Sequence, residues 1–436
     1  MQELYPLEMG VIGVIALIVT VFLGVRVYIA AGVVGLIGLV SIIGWEPGVG
    51  MAGTIPHSKS VAYTLSVLPM FILIGFLAFH AGITQAVFDA GRKWFGWLPG
   101  GLAVATVFAT AGFAAVSGAS TATAAVFARI AIPEMLQHGY DKRLAAGVVA
   151  AGGTLASLIP PSAILVIYAI IVEESVGKLL LAGFIPGIVS AIVYAVIISG
   201  RAMLNPHLAG PIEHFSWAER FRTLPGTLPI IAVIVIIFSA IYTGWATPTE
   251  AGALGAFVVF CMAAWRGMKW HTLRDALMET AKLTVMIFSI IWGVLIFVRF
   301  MGFAGLPEAF ADWITHLDLP PVLIVILILV AYAILGMFMD GIGMLLLTLP
   351  IVYPAVTGLG YDPIWFGIIV VKMVEICLIT PPIGLNCYVV NGVRPDIPLD
   401  VIFRGIFPFF VCDVITVALF LAFPELVTWL PSLLTS

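Results

Sequence analysis

Residues 94–141 read WFGWLPGGLAVATVFATAGFAAVSGASTATAAVFARIAIPEMLQHGYD, bracketed by Arg92-Lys93 before and Lys142-Arg143 after. One membrane span needs about 20 apolar residues, so this run is long enough for two passes. Both flanks are basic, and Lys and Arg collect on the cytoplasmic side of a bilayer. The run therefore enters from the cytoplasm and returns to it. Its middle, Ser117-Gly118-Ala119-Ser120-Thr121, is where such a hairpin turns. Non-helical backbone at membrane depth is tolerated only when it is buried in protein or lines a cavity, because an unpaired peptide group in hydrocarbon costs several kcal/mol.

The pattern returns at an offset of 221 positions. Leu98, Pro99 and Leu102 recur as Leu319, Pro320 and Leu323, and Pro133 recurs as Pro354. Gly139-Tyr140-Asp141 recurs as Gly360-Tyr361-Asp362, and Pro160-Pro161 as Pro381-Pro382. Leucine matches mean little in this chain, but Gly-Tyr-Asp followed by Pro-Pro at identical spacing is specific. The second stretch, 319–356, has no Lys or Arg at its flanks, so it enters from outside and returns there; its middle is Gly336-Met337-Phe338-Met339-Asp340-Gly341. Five spans separate the two hairpins (near 145–171, 180–200, 227–244, 247–265 and 282–300), and an odd number inverts the second copy. Inverted repeats of this kind are a signature of secondary transporters.

Each hairpin precedes a helix interrupted by Pro-Pro: Leu158-Ile159-Pro160-Pro161-Ser162 and Ile379-Thr380-Pro381-Pro382-Ile383-Gly384. Proline has no N–H, and its ring clashes with the carbonyl one turn earlier. Carbonyls freed near mid-bilayer need partners.

The whole composition agrees with a polytopic all-α membrane protein. Of 436 residues, 62% are hydrophobic and 10% charged, with mean hydropathy +1.17; a water-soluble fold carries about 25% charged residues. Fourteen of the 19 Lys and Arg fall on one side of the deduced topology, and three (Lys59, Lys178, Arg299) fall opposite. Both termini then lie outside. The net charge of −4 points to no nucleic-acid partner. The four cysteines sit in apolar runs without CxxC spacing, which reads as buried thiols with neither disulfide nor transition-metal site. The N-terminus lacks a basic n-region, so the first apolar run reads as a retained helix.

Ser, Thr, Asp, Gly and bare carbonyls supply hard oxygens of the kind a desolvated alkali cation needs. Helix N-termini beside the breaks aim N–H groups at the same space, which suits a carboxylate. Two Na⁺ sites are expected, one at each tip against its break. The first uses Ser117 and Gly118 with carbonyls from Ser157 to Pro160; the second uses Gly336, Met339 and Asp340 with carbonyls from Thr380 to Ile383. Ser120, Thr121, Pro161, Ser162, Pro382, Gly384 and Asn386 form the candidate substrate-facing set. Asp340 has a second reading as an N-cap for the returning arm. Lys372 and Glu375, spaced i, i+3, read most simply as an intramembrane ion pair, with a proton-coupling carboxylate as the second reading. Arg129 snorkels or meets Glu134, and His80 is interfacial. Thr247-Pro248-Thr249-Glu250 reads as a helix start. Residues 82–98 and 305–317 mix aromatic and charged side chains like helices lying along the interface.

These segments together resemble the large membrane subunit of tripartite ATP-independent periplasmic (TRAP) transporters. The resemblance is carried by Ser117–Thr123, Gly139-Tyr140-Asp141, Ile159-Pro160-Pro161-Ser162, Ala246–Ala251 and Thr380-Pro381-Pro382-Ile383-Gly384-Leu385-Asn386, in the family's order over nearly the whole chain. Ala119 stands where many members carry Ser, which puts more weight on backbone ligands at the first tip. The resemblance implies an elevator-type transporter, coupled to Na⁺ without an organic cofactor, that imports a small organic anion across the bacterial inner membrane. It also implies a small four-helix membrane subunit and a periplasmic substrate-binding protein. The first span begins within ten residues, so the small subunit is expected as a separate chain. The implied organisation is N-terminal scaffold helices (1–81), an interfacial arm (82–99) and transport-domain half 1 (100–178). Central scaffold helices (179–304), a second arm (305–318), transport-domain half 2 (319–394) and a C-terminal helix (395–436) follow.

Other classes fit less well. An intramembrane protease needs a Ser/His pair, two Asp or HExxH at depth, and none is present. The one Gly-Lys, Gly177-Lys178, lacks the phosphate-cradling GxxxxGK[ST] pattern of an ATP-driven pump. A channel does not call for inverted hairpins. A stand-alone Na⁺/carboxylate symporter of related architecture is the nearest alternative.

Overall fold

The structure is a computed structural model that describes residues 4–433 apart from 62, 338–340 and 383. Every regular element in it is helical. The first half runs α1 (Leu4–Phe22), α2 (Val27–Ile43), α3 (Trp45–Ser60), α4 (Val67–His80) and α5 (Ile83–Phe95). The hairpin α6 (Gly101–Ser117) and α7 (Ser120–Gln137) follows, then the interrupted pair α8 (Lys142–Thr154) and α9 (Ala163–Ile171). Next come α10 (Val176–Leu204) and the short α11 (Trp217–Phe221). The second half runs α12 (Leu224–Tyr242), α13 (Pro248–Trp265), α14 (Trp270–Ala304) and α15 (Leu306–Thr315). Its hairpin is α16 (Pro321–Gly336) and α17 (Gly341–Gly358), and its interrupted pair is α18 (Pro363–Ile379) and α19 (Leu385–Val393). The chain ends with α20 (Leu399–Ala422) and α21 (Glu425–Ser432).

Element order repeats at the offset seen in the sequence, and it does so beyond the hairpins. α7 and α17 each contain 18 residues and begin at Ser120 and Gly341. α1 and α2 correspond to α12 and α13, while α3 and α4 correspond to the single 35-residue α14. Residues 395–432 form two helices where one was expected, because Phe423-Pro424 interrupts them.

The Gly-Tyr-Asp motif has a local physical reason. Gly139 and Gly360 adopt φ of 79° and 88°, a left-handed conformation that ends the returning arm of each hairpin. Asp141 and Asp362 then cap the next helix; Asp362 accepts from the backbone N–H of both Ile364 and Trp365 at 2.8 Å. The Tyr140 hydroxyl accepts from the Leu102 N–H at 3.1 Å and closes the base of the first hairpin, whereas Tyr361 stacks on Trp365. Thr247 and Glu250 form a capping box at the start of α13, as the sequence indicated.

Among the described residues, six helices are long and apolar enough to cross a membrane, or up to seven if the bent pair α4–α5 counts as one span. α5 turns 72° away from α4, consistent with an arm leaving the span direction. Apolar side chains on the outer faces of α1, α12 and α16, such as Ile12, Val235 and Leu327, are exposed as lipid would require. Small residues let helices approach closely. α2 and α14 cross where Gly35 meets the Phe297 backbone and Gly293 meets the Tyr28 carbonyl; α8 and α20 cross at Gly147 and Gly405. α2, α4, α13 and α14 pack on one another, while α6–α10 and α16–α20 gather round the two breaks. Cys377, Cys387 and Cys412 are buried as expected, but Cys261 is exposed because it lies on an outward face of α13.

Arg92, on α5, ties this frame to the first hairpin. Its guanidinium bonds Glu213 in the 205–216 loop at 2.6 Å, pairs with Glu134 at the end of α7 and meets His138 Nε2 at 2.9 Å. The hydrogen bond from Arg92 holds the Glu213 carboxyl below the usual carboxylate range, and Glu213 raises Arg92 in turn. Arg129 therefore does not meet Glu134.

Candidate functional site

The first hairpin turns at Gly118, which has φ 60° and caps α6. A side chain there would come within 2.4 Å of the Pro161 carbonyl, so the tip rests directly on the first break. Hydroxyls complete the junction. Ser120 and Ser157 share a hydrogen bond at 2.6 Å, joining the start of α7 to the end of the α8 segment. Ser117 and Thr123 bond across the turn at 2.9 Å. Ser162 caps α9 and also donates to the Ser157 carbonyl, one of those freed by the break. Ser117, Ser120, Ser157 and Ser162 are all buried. The structure thus brings Ser117, Gly118, Ser120, Ser157, Pro161 and Ser162 into one cluster, with Pro160 buried beside them.

The second junction is built differently. Gly336 faces Cys377 Sγ and Gly341 faces Val374, so the described ends of the tip rest on α18 before the break. Thr380 donates to the Ile376 carbonyl at 2.5 Å, and Pro381 and Pro382 are exposed. Gly384 caps α19 with φ 46°, and Tyr388 donates to the Pro382 carbonyl at 3.4 Å. Met339, Asp340 and Ile383 lie outside the described residues. Asn386 turns to the first interrupted helix. It is fully buried and donates to the Ala150 carbonyl of α8 at 3.1 Å, linking the two interrupted helices, and its Oδ1 has no partner among the described residues.

A cavity of about 530 Å³ opens beside the first tip. Its size falls in the range of small-molecule sites. Gly75, Phe76 and Phe79 of α4, Phe113 and Ser117 of α6, and Thr121 and Arg129 of α7 line it. α14 contributes Glu279 and Lys282, and the His80 ring meets Glu279 at 3.1 Å. Two cations, one carboxylate (Glu279, facing His80), two hydroxyls and an aromatic wall line the cavity, a net positive lining fit to hold a small anion with an apolar portion. Sequence reading placed Ser117 and Thr121 in the site but missed Arg129 and Lys282. The signal available for Arg129 was its position nine residues after Ser120 in an otherwise apolar arm. A second cavity of about 520 Å³ lies farther along α14, with Arg299, Glu173 and Ser58 among mostly apolar walls.

The Lys372–Glu375 ion pair is present at 2.6 Å and fully buried, and it has a third member that sequence reading missed: Asp413 of α20, 2.8 Å from the ammonium.

Comparison with known proteins places this architecture. The chain is 36% identical to a C4-dicarboxylate TRAP transporter large permease protein of Pseudomonas aeruginosa over 374 residues, covering 85% of each chain. It is 31% identical to a sialic acid TRAP transporter large permease protein of Vibrio cholerae, covering 85% of this chain and 87% of that one. Its fold is similar to that of the Alcanivorax borkumensis YdaH transporter, with a TM-score of 0.61 at 14% identity over 89% of this chain and 90% of the other. Relatives of this kind are transporter permease subunits and not enzymes. Residues 11–426 match the family described as tripartite ATP-independent periplasmic transporter, DctM component, and the chain, a multi-pass membrane protein, belongs to that family.

Proposed function

We propose that this chain is the Na⁺-coupled translocation subunit of a TRAP system that imports a small organic acid across the bacterial inner membrane. A periplasmic binding protein delivers the solute, a small four-helix membrane subunit completes the complex, and both termini face the periplasm. One observation carries the reading: the first tip is docked on the first break through Ser120 and Ser157, beside a cavity holding Arg129 and Lys282. The solutes named for the two relatives, a C4-dicarboxylate and sialic acid, both carry carboxylates. Carbonyls and hydroxyls at each break supply Na⁺ ligands, and the neighbouring cations supply the anion's partners.

Transport in this reading is an elevator movement of an inverted-repeat body past the α2–α4–α13–α14 frame. The packing of α10 on α6 and of α20 on α8 supports counting both helices with the moving body, which extends it beyond 100–178 and 319–394. Na⁺ and solute bind neighbouring surfaces of one tip, so each raises the affinity for the other by the same factor.

The test is uptake by the chain reconstituted with its small subunit and loaded binding protein, measured against Na⁺ at fixed solute. Sigmoidal dependence is expected, and Ser117→Ala or Thr380→Ala should weaken it by on the order of tenfold with folding preserved. Uptake indifferent to Na⁺ refutes the coupling, and robust uptake by the chain alone refutes the partner requirement.

A further inference from the structure

The Lys372–Glu375–Asp413 cluster is not part of the cavity lining, and its charges do not balance. Lys372 Nζ spends all three donors, on Glu375 Oε2 at 2.6 Å, Asp413 Oδ1 at 2.8 Å and Ser190 Oγ at 3.1 Å. It is therefore held as the ammonium. Two ionised carboxylates beside it would leave a net negative charge with no exposure to water, since Lys372, Glu375 and Asp413 are each 0% exposed. An uncompensated charge in such surroundings is costly enough that a carboxylate takes up a proton instead.

Among the described residues no second cation forms an ion pair with either carboxylate. α10 contributes Ser190 and Tyr194, with the Tyr194 hydroxyl donating to Asp413 Oδ1 at 2.6 Å. α8 contributes Thr154, near that same hydroxyl. α20 contributes Cys412 beside Asp413, and Arg201 of α10 lies on the Cys412 side. α16 contributes Tyr332, which accepts a hydrogen bond from Thr348. Cys377, on the next turn of α18, is turned towards the Tyr332 carbonyl. Lys372 is the only cation that any described ion pair brings to either carboxylate. The two carboxylates are also unequal. Asp413 Oδ1 accepts from both Lys372 and Tyr194, while Glu375 Oε2 accepts from Lys372 alone; the second oxygen of each, Asp413 Oδ2 and Glu375 Oε1, has no partner among the described residues.

We propose that this cluster is a proton-binding site that carries one proton at neutral pH, held on Glu375 while Asp413 stays ionised against Lys372 and Tyr194. The proton is exchangeable, and its apparent affinity belongs to the carboxylate pair as a unit. Glu375 precedes Thr380 by five residues on α18, about 7.5 Å of helical rise. Release of the proton places a negative charge on the helix that leads into the second break. On the Na⁺ reading above, deprotonation therefore favours the cation there, and cation binding favours proton release.

Infrared difference spectroscopy on the assembled complex tests the proton directly, independently of Na⁺. Glu375 and Asp413 are the two buried carboxyls among the described residues, so the carbonyl stretch of a buried protonated acid is assignable. The band should be present in the wild type at neutral pH and absent in Glu375→Gln. It should also be absent in Asp413→Asn, where Glu375 becomes the one ionised partner of Lys372. No such band in the wild type, or a band that survives both substitutions, overturns the proposal. Glu375→Gln mimics the protonated form, so its failure to assemble overturns the proposal as well. The second readout is the Na⁺ concentration for half-maximal uptake. In the wild type it should fall on the order of tenfold as pH is raised from neutrality and the proton is lost, and it should be flat with pH in both variants, high in Glu375→Gln and low in Asp413→Asn. A flat wild-type profile with the infrared band present removes the link to Na⁺ and leaves the proton site standing.

Discussion

Gly75 offers a way to separate docking of the first tip from everything else the tip does. It lies in the middle of α4, where an added Cβ would sit 2.5 Å from Ser117 Cα and 2.7 Å from the Ser117 carbonyl oxygen. Carbon atoms in contact prefer about 3.5–4.0 Å, so the tip of Gly75→Ala must retreat by roughly 1 Å. Overpacking of this kind costs about 1–3 kcal/mol. Alanine also favours the helix by up to about 1 kcal/mol, but α4 is helical whether or not the tip is docked, so that gain cancels between the two states. The net effect falls on the docked arrangement alone and lowers its population by roughly 5- to 150-fold relative to the undocked one. Two measurements read this out: uptake rate in the reconstituted complex, and cross-linking between cysteines at Phe76 and Ala119, which line the same cavity. Gly75→Ala should lower both, and Gly75→Val should lower them further. Gly200→Ala is the control, because nothing lies within 4 Å of the added carbon, and it should leave both unchanged. Wild-type uptake and cross-linking in Gly75→Ala would refute the claim that the tip bears on α4 during the cycle.

Three further outcomes are expected. Arg129→Gln and Lys282→Gln should each raise the solute concentration for half-maximal uptake by about tenfold or more, since each removes a charged hydrogen-bond donor from the cavity; unchanged half-saturation in both moves the anion site elsewhere. Glu213 is held below the usual carboxylate range by Arg92, so its contribution is complete above that range and is lost as pH falls through the depressed value; hydrogen exchange at the Glu213 amide, bonded to the Gly96 carbonyl at 3.0 Å, should accelerate on acidification there and not near neutrality. Asp362→Ala should cost about 1–2 kcal/mol by leaving two N–H groups of α18 without a cap, visible as a lower thermal midpoint in detergent, whereas Asp362→Asn should cost little.

The elements that sequence reading located are those whose causes are local. Pro-Pro breaks a helix wherever it stands, glycine in a left-handed turn ends one, and an aspartate one residue later starts the next. Those three devices, repeated at one offset, mark both hairpins and both interrupted helices before any packing is known. What local chemistry does not determine is continuity between neighbouring segments. α3 and α4 are separate helices, whereas their counterpart α14 runs unbroken for 35 residues. α3 contains Pro56, and the chain then passes through a 3-10 turn at Tyr63–Ser66 before α4 begins; α14 has no proline over its length. The repeat predicts where the two halves correspond, and the proline predicts where they diverge.

The site divides along the same line. Ser120 and Ser157 were legible because each belongs to a motif that disturbs the backbone, and disturbed backbone at membrane depth must face something polar. Of the two readings of Arg129, snorkelling or meeting Glu134, the second fails although Glu134 is the nearest acid in the sequence. Residues five apart on a helix point to different faces, unlike those three or four apart, so α7 itself separates the two. Glu134 turns to Arg92, and Arg129 is left to the cavity. Lys372 and Glu375 obey the i, i+3 rule and were paired correctly, yet that pairing concealed what the charges imply. Asp413 stands nine residues from the nearest other charge of α20, Arg404, with only apolar side chains, Gly405, Pro408 and Cys412 between. An isolated intramembrane carboxylate requires a partner, and the only buried cation among the described residues was already assigned one. Counting charges at membrane depth, without regard to sequence distance, would have joined the three residues and left one proton to account for.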